Sequence, residues 1–134
     1  MSRAGWRRTD KASDDTVARM IEEDRIDILV DLAGHTKGNR LPVLARKPAP
    51  VQMSYLGYPT TTGMAAVDYK LSDAYLTPPS TPERYAERIL NLPDSFLCYA
   101  PPSDAPVVAP APVGRPVTFG SFNATFKLSD ESLG

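Results

Sequence analysis

The sequence predicts an α/β fold with a parallel sheet, and three features of the chain support this prediction. Residues 26–32 and 51–56 are near-continuous apolar runs of strand length, as is typical of parallel strands covered on both faces. The segment 14–24 has helical spacing and feeds the first run, which is the α/β arrangement. Polar loops at 34–40 and 57–63 follow the two runs, at the ends of strands where α/β proteins bind ligands.

The composition narrows the possible functions of the chain. Its 134 residues suit about one domain, and a hydrophobic fraction of 42% can form a core. A net charge of −1, from 15 basic and 16 acidic residues, gives no support to nucleic-acid or membrane-surface binding. No apolar run approaches the ~20 residues of a membrane span. Because Cys98 is the only cysteine and His35 the only histidine, we expect a reduced, cytoplasmic protein without a metal site.

The first helix is predicted from its cap as well as its spacing. Ser13 is suited to the N-cap position. Asp14 and Asp15 follow in the first turn, where negative charge is favourable to the helix dipole. Apolar residues then recur at helical spacing, so the segment is expected to be short and amphipathic.

Shorter elements are predicted after the first apolar run. They are one helical turn at 41–46, a strand at 67–71, a helix at 82–87, and extended pieces at 88–92 and 96–99. The turn is ended by the sequence KPAP, because a residue before proline disfavours helical geometry. The later helix has Thr81 as its cap and Pro82 at its first position, where proline is favoured.

The proline-rich stretch 101–116 is predicted to be an extended connector between two lobes. It holds six of the fourteen prolines, and proline cannot donate to a strand ladder. Residues 117–123 are strand-like again, and Ser129 suits the cap of a helix. We therefore expect three parts: the end of a first lobe at 1–100, the connector, and the start of a second lobe at 117–134.

The loop at 57–63 combines glycine with hydroxyl groups. Glycine allows a ligand to approach the backbone, and the hydroxyls of Thr60, Thr61 and Thr62 can exchange hydrogen bonds with a sugar. The same threonines can instead satisfy their own turn. The pattern alone leaves both interpretations open.

Three further residues have a chemical and a structural interpretation. His35 can act as a general base or be a satisfied loop histidine, and the sequence shows no carboxylate partner for it. Lys127, between a strand end and a helix start, can meet a phosphate or be an ordinary solvated lysine. Asp68 is interpreted as a structural residue.

Five segments of the chain together resemble one known family. They are "DILVDLAGHTKGNR", "RKPAPVQMSYLGYPTTTG", "VDYKLSD", "ILNLPDSFLCYAPP" and "VTFGSFNATFKLS", and they extend in the family's order from about Val17 to Leu133. They resemble the catalytic region of the protein O-GlcNAc transferase family, glycosyltransferase family 41, and are most similar to its bacterial and SPINDLY-like branch. The long pattern around "PAPVQ" and "LGYP" is more specific than an isolated glycine motif.

The resemblance implies a fold, a reaction and partners. The fold is GT-B, with two Rossmann-like lobes, an active site between them, and usually tetratricopeptide repeats before them. The reaction is inverting transfer of a sugar from a nucleotide donor, UDP-GlcNAc or GDP-fucose, to Ser or Thr hydroxyls of protein acceptors. No metal or other cofactor is expected. The identity of the donor stays open, because the residues that recognise the nucleotide base are not in this sequence.

The resemblance also implies roles for individual residues. The turn that lines the donor-sugar pocket corresponds to Leu56, Gly57, Tyr58 and Pro59, of which the first two would face the sugar. Lys127 matches the family's essential lysine, which would stabilise the negative charge of the departing diphosphate. Lys37, with His35 beside it, matches a position near the acceptor or phosphate side of the cleft.

Departures from the family pattern define three interpretations. An upstream Asp-Phe-x-x-His-Pro segment and the second-lobe grips on phosphate and ribose are not in this sequence, and Ala124 and Phe126 replace a common glutamine and a tyrosine. We therefore expect a fragment of a protein O-glycosyltransferase that is inactive alone. The alternatives are a non-catalytic remnant or binding module, and an unrelated α/β interaction domain.

Overall fold

The computed structural model describes residues 5–110, 113–114, 116–120, 122, 124, 129 and 131. The chain divides into two units, residues 1–100 and 101–134. The helices and strands of the first unit are α1 (Asp14–Glu23), β1 (Ile28–Asp31), α2 (Leu41–Ala45), β2 (Val51–Ser54), β3 (Tyr69–Asp73) and β4 (Arg88–Leu92).

The four strands form one parallel sheet in chain order. β1 and β2 pair in a register that places Asp31 opposite Ser54. The prediction that 26–32 and 51–56 contain adjacent parallel strands is therefore confirmed, with strands shorter than the apolar runs. Because all four strands run in one direction, their carboxyl ends lie at the same edge of the sheet.

α1 forms where the sequence predicts it and packs against α2. Ser13 Oγ accepts a hydrogen bond from Thr16 N at 3.2 Å, and two aspartates occupy the first turn, which together favour the helix start. Val17 and Ala18 of α1 are buried in one cluster with Val43 of α2. This cluster packs the two helices against each other.

The two faces of the sheet differ in chemistry. The face toward the helices carries buried polar side chains, including Gln52 and Lys70, and Gln52 Nε2 donates to Leu44 O of α2 at 2.9 Å. On the other face, Ile28 is 55% exposed and Val30 is also exposed. The expectation that β1 is covered on both faces is therefore wrong within the described residues, because the face that carries Ile28 and Val30 stays exposed.

The predicted helix at 82–87 does not form. Ala86 N donates to Thr61 Oγ1 at 3.1 Å, and the same hydroxyl donates to Glu87 Oε2 at 2.6 Å. These contacts with a distant loop hold the end of the segment outside helical geometry. Tertiary contacts therefore override the local helix-start signals.

The remaining predictions for the first unit have mixed outcomes. Residues 96–99 form no strand, because Phe96 N donates at 2.7 Å to the carboxylate of Asp73 instead of to a neighbouring strand. β3 begins two residues later than predicted. α2 and β4 confirm the helical turn at 41–46 and the extended piece at 88–92.

The second unit contains the proline-rich segment. The described residues of 101–116 form neither helix nor strand, and a connecting role between lobes stays a prediction. The described residues of 117–123 form no strand either, so the strand predicted there is wrong for that part of the segment. Lys127 and most of the helix start predicted at Ser129 lie outside the described residues.

Candidate functional site

Two loops at the carboxyl ends of β1 and β2 interlock through glycine. A Cβ atom at residue 57 would overlap the carbonyl oxygen of Leu32, and one at residue 34 would overlap the side chain of Tyr58. Gly34 also has a φ of +54°, where glycine has no steric penalty. The two loops therefore approach each other so closely that only glycine fits at the contact points.

Leu56, at the tip of the second loop, has a strained backbone. Its φ is +64°, a region that costs a non-glycine residue about 1–2 kcal/mol, and the residue is 45% exposed. Gly57 N donates to Tyr55 O at 2.9 Å and closes the tight turn. An apolar side chain exposed on a strained turn points to a binding function rather than a packing one.

His35 connects the first loop to the second. Its Nε2 lies 3.0 Å from Thr62 O, and because a carbonyl only accepts, this nitrogen carries the proton. Its ring meets the Tyr58 ring edge-on, with centroids 5.2 Å apart and planes at 71°. These contacts favour the interpretation of a structurally satisfied loop histidine over that of a general base.

Glu87 binds the threonines of the second loop. Its carboxylate accepts hydrogen bonds from Thr61 Oγ1 at 2.6 Å, from Thr62 N at 2.7 Å and from Thr62 Oγ1. Burial raises the pKa of Glu87, but these donors outweigh burial, and the pKa lies below its ordinary value. The hydroxyls of these two threonines are thus engaged inside the fold, which supports their structural interpretation.

Asp31 of β1 and Lys70 of β3 form hydrogen bonds to the main chain of the two loops. Asp31 accepts hydrogen bonds from Ala33 N at 3.3 Å and Gly34 N at 2.6 Å. Lys70 Nζ donates to Tyr58 O. Burial lowers the pKa of Lys70, while the nearby charges of Glu87 and Asp31 oppose that shift. Each loop is therefore held through its main chain by a charged side chain of the sheet.

The carboxylates of Asp68 and Asp73 accept hydrogen bonds at the two ends of β3. Asp68 Oδ2 accepts from Lys47 Nζ at 2.5 Å and from Gln52 N at 2.8 Å, and these bonds lower the pKa of Asp68. Asp73 accepts from main-chain N–H groups, with Phe96 N at 2.7 Å, and this lowers the pKa of Asp73. The structural interpretation of Asp68 agrees with these contacts.

The residues singled out in the sequence fall into two groups. Those that lie exposed at the carboxyl edge are Leu56, Gly57, Pro59, His35 and Lys37, and we call them the strand-end surface. Tyr58 is half-buried beneath them. Lys127 lies outside the described residues, so its distance from this surface is not defined.

Sequence reasoning missed three charged residues that support this surface. Asp31 and Lys70 are charged positions within apolar or strand-like segments, and such interruptions were the available signal. Glu87 had no comparable signal, because its partners are 25 and 26 positions away in the chain.

Among the described residues, no group of three or more His, Cys, Asp or Glu could hold a metal ion. In the same part of the chain no helix is long and apolar enough to cross a membrane.

Comparison with known proteins assigns the chain to a family. The model of glycosyl transferase family 41 matches residues 9–100. The chain belongs to glycosyl transferase family 41. This match includes both interlocked loops and all four strands of the sheet.

Individual relatives agree with this assignment. The chain is 45% identical over 130 residues to a probable UDP-N-acetylglucosamine–peptide N-acetylglucosaminyltransferase SPINDLY from Petunia hybrida, covering 96% of this chain and 14% of the relative. It is 41% identical over 85 residues to a protein similarly named, SEC, from Arabidopsis thaliana, covering 63% of this chain and 9% of that one. The chain thus spans about a seventh of the first relative's length.

A solved structure shows the same fold. An O-GlcNAc transferase mutant from Thermobaculum terrenum superposes with a TM-score of 0.72 at 43% identity, covering 80% of this chain and 21% of that one. The parallel α/β sheet described above is therefore part of a GT-B type catalytic region. The predicted fold class and the family resemblance are both confirmed.

Proposed function

We propose that this chain is part of a protein O-glycosyltransferase that transfers GlcNAc from UDP-GlcNAc to Ser or Thr hydroxyls of proteins. Membership of glycosyl transferase family 41 carries the proposal. Relatives bear names that specify UDP-N-acetylglucosamine and a peptide acceptor. GDP-fucose is the alternative donor, and the assay below distinguishes the two sugars.

The strand-end surface supports a sugar-binding role for this part of the protein. It lies at the carboxyl ends of β1 and β2, where ligands bind in parallel α/β folds. Leu56 presents an exposed apolar side chain on a strained turn, and Gly57 exposes main chain beside it. An apolar contact next to exposed main chain suits a sugar ring, which has apolar faces and hydroxyl edges.

The reaction requires two concerted bond changes at the anomeric carbon. The acceptor hydroxyl oxygen forms a bond to that carbon and gives up its proton to a base of the longer protein. The bond from the carbon to the diphosphate oxygen breaks, and the nucleoside diphosphate leaves with the electron pair. Lys127 is the residue we propose for stabilising that developing charge, because a fixed cation gains most where charge grows.

The test uses the chain extended at both ends to the length of its relatives. The extended protein is assayed with labelled UDP-GlcNAc and with labelled GDP-fucose against a protein acceptor. Transfer from UDP-GlcNAc supports the proposal, and transfer from GDP-fucose alone moves the protein to the alternative donor. Failure to transfer either sugar overturns the proposed function.

A matched pair of variants locates the donor contact. Leu56→Asn removes the apolar side chain but suits the left-handed backbone, which asparagine tolerates. We expect the donor KM to rise roughly tenfold or more, as for loss of a buried leucine contact. Leu97→Asn changes an equally apolar, exposed leucine elsewhere in the first unit and should leave the donor KM unchanged.

The proposal includes a cytoplasmic location and a reaction that needs no metal ion. The single cysteine motivates the first statement, and assignment of charge stabilisation to a lysine motivates the second. Transfer that persists after EDTA treatment agrees with this mechanism. Loss of transfer with EDTA, restored by a divalent cation, would contradict it.

A further inference from the structure

Lys70 is a buried lysine whose charge is not matched by a direct ion pair among the described contacts. The residue is 2% exposed on β3, although lysine is rarely buried because loss of hydration is costly. The hydrogen bond of its ammonium goes to a main-chain carbonyl, that of Tyr58. A buried charge can be retained, despite the loss of hydration, because its hydrogen bond fixes one specific conformation.

The sheet register places Lys70 directly below the two interlocked loops. Asp31, Ser54 and Lys70 are opposite one another on β1, β2 and β3, so they form one row across the sheet on the same face. Asp31 holds the first loop at Gly34 N, at 2.6 Å. Lys70 holds the second loop in the same way. Because its ammonium donates, its partner is a main-chain carbonyl, that of Tyr58.

The bonded carbonyl belongs to a peptide group that has few other anchors. Tyr58 is followed by Pro59, which has no N–H to donate. Leu56, two residues earlier, is strained at a φ of +64° and needs compensating contacts to persist. A charge-assisted bond is roughly twice as strong as a neutral one, and the ammonium of Lys70 forms such a bond to the main chain of this turn.

We propose that Lys70 is a positioning residue that fixes the Tyr58 carbonyl and, through it, the turn from Leu56 to Pro59. The anchoring of the turn follows from contacts within this chain. The consequence for donor binding rests on the proposed function, because there the turn contacts the donor sugar. Lys70 does not itself touch the donor and is not a catalytic residue.

A structural experiment tests the anchor in this chain without any activity. Lys70→Met keeps a long unbranched side chain but removes the ammonium. Carbon-detected NMR of the Tyr58–Pro59 peptide group, together with amide exchange at Gly57, reports on the turn. We expect a changed Tyr58 carbonyl shift and roughly tenfold or faster exchange at Gly57. Unchanged values at both positions would overturn the proposal.

Lys47→Met provides the matched control. Lys47 Nζ also donates to a loop carbonyl, that of Ala66 at 2.9 Å, and to Asp68 at 2.5 Å. Its loss should change the Ala66 carbonyl shift and leave the Tyr58 carbonyl and Gly57 exchange as in wild type. Equal disturbance of the Tyr58 turn by both variants would overturn a specific role for Lys70.

A measurement on the unsubstituted chain covers the case in which Lys70→Met does not fold. A hydrogen-bond scalar coupling between Lys70 Nζ and the Tyr58 carbonyl carbon is expected in the wild type. Lys70→Arg, which keeps a cationic donor, should retain the exchange protection at Gly57. Absence of the coupling, or loss of protection in Lys70→Arg equal to that in Lys70→Met, contradicts the proposal.

The donor-binding half is tested in the extended protein. Lys70→Met should raise the donor KM roughly tenfold and leave the acceptor KM unchanged, whereas Lys47→Met should alter neither. A changed Tyr58 turn with an unchanged donor KM overturns this half and leaves the anchor in place. If wild type transfers no sugar, the proposed function fails, while the NMR result still decides the role of Lys70.

Discussion

Gly57 is the most tightly confined single residue of the candidate site. A Cβ atom there would overlap the carbonyl oxygen of Leu32, which belongs to the backbone and cannot move aside as a side chain would. We expect Gly57→Ala to destabilise the fold by about 1–3 kcal/mol, the range of overpacked substitutions. Urea unfolding followed by circular dichroism measures this free energy of unfolding.

The control for this prediction is a glycine in open space. No atom lies within 4 Å of a Cβ added at Gly5, so Gly5→Ala should change the free energy of unfolding by less than about 0.5 kcal/mol. If Gly57→Ala is as stable as wild type, the two loops do not approach each other as closely as described.

Residues of the site differ in how well the sequence could predict them. The turn at Leu56 and Gly57 was found because glycine and proline follow an apolar run, a local pattern. Lys70 and Glu87 were missed because their function depends on partners that only the sheet brings near: Tyr58 O is 12 positions from Lys70. Local sequence does not contain that information.

At the scale of elements, α1 depends on its cap. Ser13 Oγ accepts the hydrogen bond of Thr16 N, and Ser13→Ala removes this acceptor. We expect a loss of about 1 kcal/mol in the free energy of unfolding. Thermal and urea unfolding measure it, with Ser80→Ala, an exposed serine outside the helices and strands, as control. Equal stability of the two variants would contradict the capping role.

The contribution of the segment before β4 to the stability of the fold depends on the ionised form of Glu87. Its pKa lies below the ordinary value of 4.5, so its contribution to stability is fully present above that value and is lost as the pH falls through the pKa of the folded state. We expect Glu87→Gln to lower the free energy of unfolding by about 1–3 kcal/mol at pH 7. The difference from wild type should shrink toward pH 3.

The measurement is urea unfolding at a series of pH values from 7 to 3. Glu22→Gln, on the exposed surface of α1, is the control and should follow the wild-type curve. A constant difference between Glu87→Gln and wild type across this range would mean that the threonine bonds do not depend on the charge of the carboxylate.

Elements were predictable where local pattern and tertiary contacts agree. The cap and spacing of α1 and the apolar runs of β1 and β2 led to correct assignments, because the same residues also form the contacts of the fold. The helix predicted at 82–87 failed because Glu87 and Ala86 bind Thr61 instead. The exposure of Ile28 was also unexpected, since an apolar run does not show which of its faces a helix will cover.

At the scale of the whole molecule, this chain has only part of what a glycosyltransferase of its family contains. It spans 14% of the Petunia relative and 21% of the solved O-GlcNAc transferase chain. Binding a nucleotide sugar needs contacts with base, ribose, diphosphate and sugar. The residues for which we propose a donor contact, Leu56, Gly57 and Lys127, concern the last two of these only.

We therefore predict that the 134-residue chain alone transfers no measurable sugar. Loss of two or three charge-assisted hydrogen bonds, at about 1.5–3 kcal/mol each, weakens donor binding by several powers of ten. Loss of an acid or base costs a further ~10²–10⁴ in rate.

In the extended protein, Lys127→Ala should lower kcat far more than His35→Ala. Lys127 would meet charge that grows in the transition state, whereas His35 contacts Thr62 and Tyr58 of the neighbouring loop. Labelled UDP-GlcNAc and GDP-fucose assays of both lengths check this. Robust transfer by the short chain contradicts the first prediction, and equal kcat of Lys127→Ala and wild type contradicts the second.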